Sequence, residues 1–346
     1  MRRAVPSLVA VLSAVALLAA CSGGSDKPEP SASPTTTSAA PTPSPQPVAV
    51  KTCPLTGRPP HKGQNVNRVA LAVKIDNVSE ARPQAGLDLA DIVVEETVEG
   101  GLTRLFTIFQ CDVVPAIGPI RSARTSDGDL LRLLNGAVFA YSGANPKAIA
   151  PVRATSKAVL ISWDDTPQFF HSEAGRPSPH NIFSSSRTLL AEGLHRNHKL
   201  QAPRPVFSYG DAAHLGVKAT SVTTTWPAAS ASWSWNGHTW LRIQGGSPDI
   251  LTNHHRVTAT NVVVMSIQVR NTGLHDVLGN PSPDDVVTGH GRVWVFRDGH
   301  VIHGKWHRQS RKHRMVLRDT HGSRILLAPG RTWVELLPRP HAPQFS

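Results

Sequence analysis

Three acids, Glu95, Glu96 and Glu99, and three arginines, Arg104, Arg121 and Arg124, fall within residues 95–127, around two apolar runs. Carboxylates in a partly buried site have their pKa values pushed apart, the condition general acid–base catalysis needs. Glu95 and Glu99 are therefore candidate acid/base residues, with the His180 imidazole as an auxiliary. Strand geometry limits this set: Glu95 and Glu96 would point to opposite faces, so at most one can join Glu99 and Arg104. The alternative is an ion-pair network that only orders the Gly100-Gly101 turn. Arg121, Arg124 and Asp127 stand at a predicted helix start, where free N–H groups and forked guanidinium donors favour a phosphate or carboxylate. Arg82, Arg104 and Asn181 are candidate partners in the same anion site, and Asp76 is expected beside them. The competing reading pairs these arginines with Asp127, Asp129 or the glutamates.

No complete catalytic motif accompanies these residues. Ser142 ends a predicted strand but lacks the GxSxG elbow, and SxxK, HExxH and a phosphate-cradling glycine loop are missing. The histidines of the second half, among them His254, His255, His290, His300 and His303, do not repeat at ligand spacing. They are expected to be solvated surface groups, with no metal and no cofactor. Trp233 and Trp235 share a strand face and are expected to pack rather than to bind sugars.

The elements that must position these residues can be read in order. Residues 1–20 form a signal peptide, with the basic head Met1-Arg2-Arg3 and an apolar run too short to span a bilayer. Leu18-Ala19-Ala20-Cys21 resembles the lipobox of bacterial lipoproteins, which implies lipidation of Cys21; the alternative is a plain signal peptide with an accidental cysteine. Residues 21–50 are rich in Ser, Thr and Pro and predict an extended tether. In residues 51–203 strands at 69–75, 92–94, 105–109, 138–142 and 159–163 alternate with helices at 86–90, 122–134 and 185–195. This predicts an N-terminal α/β-type domain with a mixed sheet. A weak Ser126/Asp129 capping box would open the middle helix. In residues 204–346 nearly every segment predicts a strand, including 324–327. Asn236-Gly237 and Asp298-Gly299 mark two hairpins. The fold class is thus α+β, an α/β-type half followed by an antiparallel β-rich half.

The remaining cysteines, Cys53 and Cys111, are an even pair in a chain with an export signal, which favours a disulfide. Free thiols and metal ligation are the alternatives. The net charge of +12 favours anionic surroundings. Export and the lack of a basic–aromatic motif exclude nucleic acid as the partner.

Long words of the sequence look familiar: LAVKIDN (71–77), ARPQAGLDLADIVVEE (81–96), EGGLTR (99–104), GPIRSARTSD (118–127), FAYSGANP (139–146) and PHNIF (179–183). TGHGRVWVFRDGHVIHGKW (288–306) and LAPGRTWVELLP (327–338) continue the series. Together they resemble the YerB-type bacterial lipoproteins over residues 53–338. That resemblance implies two tandem domains of unknown function on an exported lipoprotein and a link with envelope and peptidoglycan synthesis. It supplies no catalytic mechanism, and Cys53 and Cys111 lie outside its words.

Two functions remain open. The first is a non-enzymatic lipoprotein, held by lipid on Cys21 to the outer face of the plasma membrane. It would bind peptidoglycan, an anionic wall polymer or a membrane-bound wall-synthesis protein. The second is an envelope enzyme acting on a glycan or phosphate-containing polymer, with Glu95 or Glu99 as acid/base and an arginine clamp. An open cleft lined by Glu95, Glu99, Arg104, Arg121, Arg124 and His180 is the arrangement both require.

Overall fold

The main sheet strands and α-helices of the first half follow in the order β1 (Leu71–Asp76), β2 (Ile92–Thr97), β3 (Thr103–Phe109), α1 (Asp127–Leu131), β4 (Val138–Tyr141), α2 (Pro146–Thr155), β5 (Val159–Ser162) and α3 (Ser186–Arg196). The computed structural model describes residues 51–346; the signal peptide, Cys21 and the tether lie outside them. Among the described residues no helix is long and apolar enough to cross a membrane.

β1 lies between β3, antiparallel, and β4, parallel, and β5 extends the parallel side. β2 pairs antiparallel with β3. The sheet does not stop there. The strand Thr332–Pro338 runs parallel to β2 and to Asn261–His275. Antiparallel strands Gly289–Arg297, His300–Arg308 and Val316–Asp319 follow outward. The N-terminal mixed sheet and the β-rich second half therefore meet in one twelve-stranded sheet.

Period-two side-chain alternation gives this sheet two apolar faces. On one, Val73, Ile75, Val93, Leu105, Val264 and Trp333 pack with α3 and with Trp226, Trp233 and Trp240. These tryptophans belong to a second antiparallel sheet built on Ser221–Trp226, Ala229–Trp235 and Trp240–Gln244. On the other face, Ala72, Val94, Phe106, Met265 and Val334 pack with Leu130 and Leu131 of α1 and Val152 of α2. Burial on both sides explains why the central strands read as nearly continuous apolar runs.

Cys53 and Cys111 form a buried disulfide, with Cα atoms 6.0 Å apart. It ties the entry of the folded chain to the exit of β3, as expected.

Four local expectations are corrected. The helix expected over 122–134 is only α1 and a 3-10 turn, Arg132–Leu134. Upstream, Arg121 N–H donates to the Lys74 carbonyl and Ala123 N–H to the Gly143 carbonyl, which holds the segment extended. The Ser126 hydroxyl does not cap α1; it donates to Glu96 Oε2 (2.6 Å). The Asn236-Gly237 hairpin closes at Trp235 and Trp240, so its loop has four residues, with Asn236 Oδ1 accepting from His238 and Thr239 N–H. The stretch 324–327 forms only isolated bridges. By contrast, Asp298-Gly299 is a two-residue turn between Arg297 and His300, with φ of 51° and 70°, the left-handed pair such turns require.

Candidate anion-binding cleft

The last residue of β1 organises the site. Asp76 is 1% exposed and stands opposite Arg104 of β3, which in turn stands opposite Glu96 of β2. One oxygen, Asp76 Oδ2, accepts from Arg121 Nε (2.9 Å) and from His180 Nδ1 (2.8 Å). The other lies 4.0 Å from Arg104 Nε, which is buried and has no hydrogen-bond partner. Across the site, Glu99 accepts from Arg124 through Nε (2.9 Å) and Nη2, and from Ser282 Oγ (2.6 Å). Arg124 Nη1 is bound to the carbonyls of Ser122 and Ala123.

Asp76, Glu99, Arg104, Arg121, Arg124 and His180 line one open cleft of about 690 Å³. The hairpin tip 275–280 and Ser282 complete its wall. Val277 is fully exposed on that tip and Leu278 nearly so. Five of the six residues required by either reading from the sequence thus share a cleft, and Asp76 joins them.

Glu95 does not. As parity demands, it lies on the other face of the sheet. It is fully buried and bound to Arg242 Nη2 (2.7 Å), Asn77 Nδ2 (2.9 Å) and Thr103 Oγ1 (2.7 Å). Arg242 also binds Asp249 and Glu335 and lies over the Trp333 ring at 4.1 Å. Burial, and then the charge of Glu95, pushes the Glu335 carboxyl well above the usual carboxylate range. Asp127 is likewise unable to meet a ligand. It is fully buried, accepting from Lys74 Nζ (2.7 Å) and from the N–H of Arg124 (2.6 Å). Lys74 also contacts Glu96. Asn181 uses its carbonyl to bind Glu173 N–H and lines neither cleft described here. Arg82 lines a neighbouring cleft. Lys74 and Arg242 were missed as structural hubs. Their signal is a cation inside an apolar strand, LAVKID and WLRIQ, since a buried charge must be paired.

The electrostatics keep the two cleft carboxylates ionised. Burial alone would raise Asp76, but Arg104, Arg121 and His180 more than offset it and hold the carboxyl below its ordinary value. Burial is outweighed at Glu99 too, by Arg124 and the Ser282 hydroxyl. Both carboxylates therefore stay ionised at neutral pH, and neither stores the proton a general acid must supply. Arg104 is pulled down to about 9, by burial first and then by Arg124, with Asp76 only partly compensating. A guanidinium so placed gains from an added negative charge.

Residues 55–199 match the family model "Protein of unknown function (DUF3048) N-terminal domain", and residues 221–334 match the corresponding C-terminal domain. The chain belongs to the DUF3048 family. It is 26% identical over 299 residues to "Putative lipoprotein YerB" of Bacillus subtilis (strain 168), covering 85% of this chain and 88% of that protein. A crystal structure of the Bacillus subtilis YerB protein superposes with a TM-score of 0.72 at 24% identity, covering 85% of this chain and 98% of that one. The DUF3048 fold is therefore shared. Here the N-terminal DUF3048 segment supplies Asp76, Glu99, the three arginines and His180, and the C-terminal segment supplies Ser282 and the overhanging tip.

Proposed function

We propose that this protein is a lipid-anchored, extracytoplasmic binding protein whose cleft holds an anionic group, phosphate or carboxylate, of a cell-wall polymer. The observation that carries the reading is the convergence of Arg104, Arg121 and His180 on one carboxylate in an open cleft. Asp76 aims them while leaving donors over: among the described residues neither Nη of Arg121 has a hydrogen bond to protein. Charge-assisted, forked donors of this kind suit planar and tetrahedral anions. Anchoring through Cys21 is supported by the Leu18-Ala19-Ala20-Cys21 word and by the lipoprotein name that the YerB relative carries.

The test is co-sedimentation with isolated wall material. The wild type is expected to pellet with it, and less so as salt rises. Arg121→Gln should weaken binding about tenfold or more, since a hydrogen bond to a charged group contributes roughly 1.5–3 kcal/mol. Equal pelleting of wild type and Arg121→Gln would remove the cleft from consideration.

A second, enzymatic reading draws support from the His180–Asp76 pair, which would fix the imidazole as a base. Wall material incubated with wild type, His180→Gln and Glu99→Gln separates the two. Soluble fragments released by the wild type and lost in the variants would favour the enzyme; equal inertness of all three would end that reading.

A further inference from the structure

A second cleft, of about 650 Å³, adjoins the first. The two share Val78, Leu102 and Thr103 as a common wall. Consecutive residues at the end of β1 divide between them: Asp76 lines the first and Asn77 the second. The second cleft has its own arginine. Arg82 Nη2 donates to the Asn77 carbonyl (3.1 Å), while its Nε is buried without a partner. Burial, opposed by Asp249, holds this guanidinium below its ordinary value. Gln244 and Thr225 add polar groups. The one acid there, Glu80, stands exposed at the rim and accepts from Ser79 Oγ (2.8 Å).

Each cleft alone is large enough for a ligand of many atoms. A single phosphate or carboxylate would leave most of the first empty and the second unused. Two arginines with unmet donors, on either side of the shared Val78–Leu102 wall, suit a chain that presents charges at intervals.

We propose that the two clefts are one groove for a linear polyanion, which sets one anion on Arg121 and Arg104, crosses the Val78–Leu102 ridge, and sets another on Arg82. This rests on the anion-cleft reading above and specifies the ligand as a repeating chain rather than a single group.

Titration calorimetry of the full chain with defined-length glycerol phosphate oligomers of about one, four and twelve units tests it; matched galacturonate oligomers form the carboxylate arm. Joining two sites on one chain raises affinity by roughly 10²–10⁴, so the longest oligomer should bind at least about a hundredfold more tightly than the monomer. Arg82→Gln should cost the longest oligomer about tenfold, more than it costs the monomer, which can occupy the Arg121 end alone. Leu102→Asp, at a ridge position 38% exposed, should also weaken the longest oligomer by placing a like charge in the path. It serves as a second probe should Arg82→Gln fold poorly. Lys312→Gln, outside both clefts, should change neither. The arm that shows the Arg82 dependence names the anion. If Arg82→Gln and Leu102→Asp leave the long oligomer unaffected in both arms, the groove is wrong while the first cleft stands. If Arg121→Gln also leaves monomer binding unchanged, or no oligomer binds, the cleft reading falls with it.

Discussion

Asp76 Oδ2 serves Arg121 and His180 at once, and Oδ1 faces Arg104. Removing its charge would leave the partly buried Arg104 and Arg121 guanidiniums facing one another. Asp76→Asn keeps the shape and one acceptor, so the loss isolates charge. It is expected to destabilise the fold by about 3 kcal/mol in urea unfolding at neutral pH, because breaking a buried pair strands its partner. The pH dependence has a definite sign. Asp76 titrates lower in the folded chain than in the unfolded one, so the unfolded chain takes up the proton first. The stability contributed by its charge is complete above the unfolded pKa and is lost as pH falls through the folded one. Wild type and Asp76→Asn should therefore converge in acid. A difference that widens on acidification would contradict this role. The same logic explains which site residues were legible. Glu99, Arg104, Arg121, Arg124 and His180 cluster because the 98–102 turn and the 121–124 segment both lie at the polar end of β1 and β3. Glu95 failed because its partner, Arg242, stands 147 positions away; parity could exclude it from the cleft but could not say what it met instead.

At the scale of elements, the Asp298-Gly299 turn was read correctly and the start of α1 was not, and the reason is local. The Asp298-Gly299 turn is fixed by its own dihedrals and carries its signal within two residues. The extended stretch before α1 is fixed by bonds to Lys74 and Gly143, and the Ser126 hydroxyl is claimed by Glu96, 30 positions away. Those partners are invisible to a local pattern, so the leucines at 130, 131, 133 and 134 suggested a longer helix than forms. Helix α3 shows the same precedence of tertiary contact over propensity. Gly193 is interior to it, where alanine ordinarily gains about 1 kcal/mol. A Cβ at that position would lie 2.1 Å from Val138 Cγ2 of β4, and Val138 is buried and stiff at χ1. Gly193→Ala should therefore destabilise by roughly 1–3 kcal/mol. A thermal melt at or above that of the wild type would show that α3 can lift from the sheet without cost.

Across the whole molecule, the two DUF3048 segments share one sheet. Thr332–Pro338, nearly the last strand of the chain, lies between β2 and Asn261–His275. Without it β2 becomes an open edge. The face of β1–β3 that carries Glu95 would also lose Arg242, Trp233 and Trp333, leaving a buried carboxylate unpaired and an apolar surface exposed. The Cys53–Cys111 disulfide closes a loop within the first half and restrains its unfolded chain, a contribution of about 4 kcal/mol for a span of this length, but it cannot replace that missing face. Residues 51–203 alone are therefore expected to lack a cooperative unfolding transition even when oxidised. Mixing them with residues 204–346 should restore both the transition and anion binding, because Glu99 reaches Ser282 only across the junction. Circular dichroism melts and amide dispersion in NMR spectra of each part, alone and mixed, provide the measurement. Well-dispersed amides and a wild-type-like melt from residues 51–203 alone would mean that the shared sheet is a docking of two independent domains. The cleft would then open and close with their separation rather than being fixed by one fold.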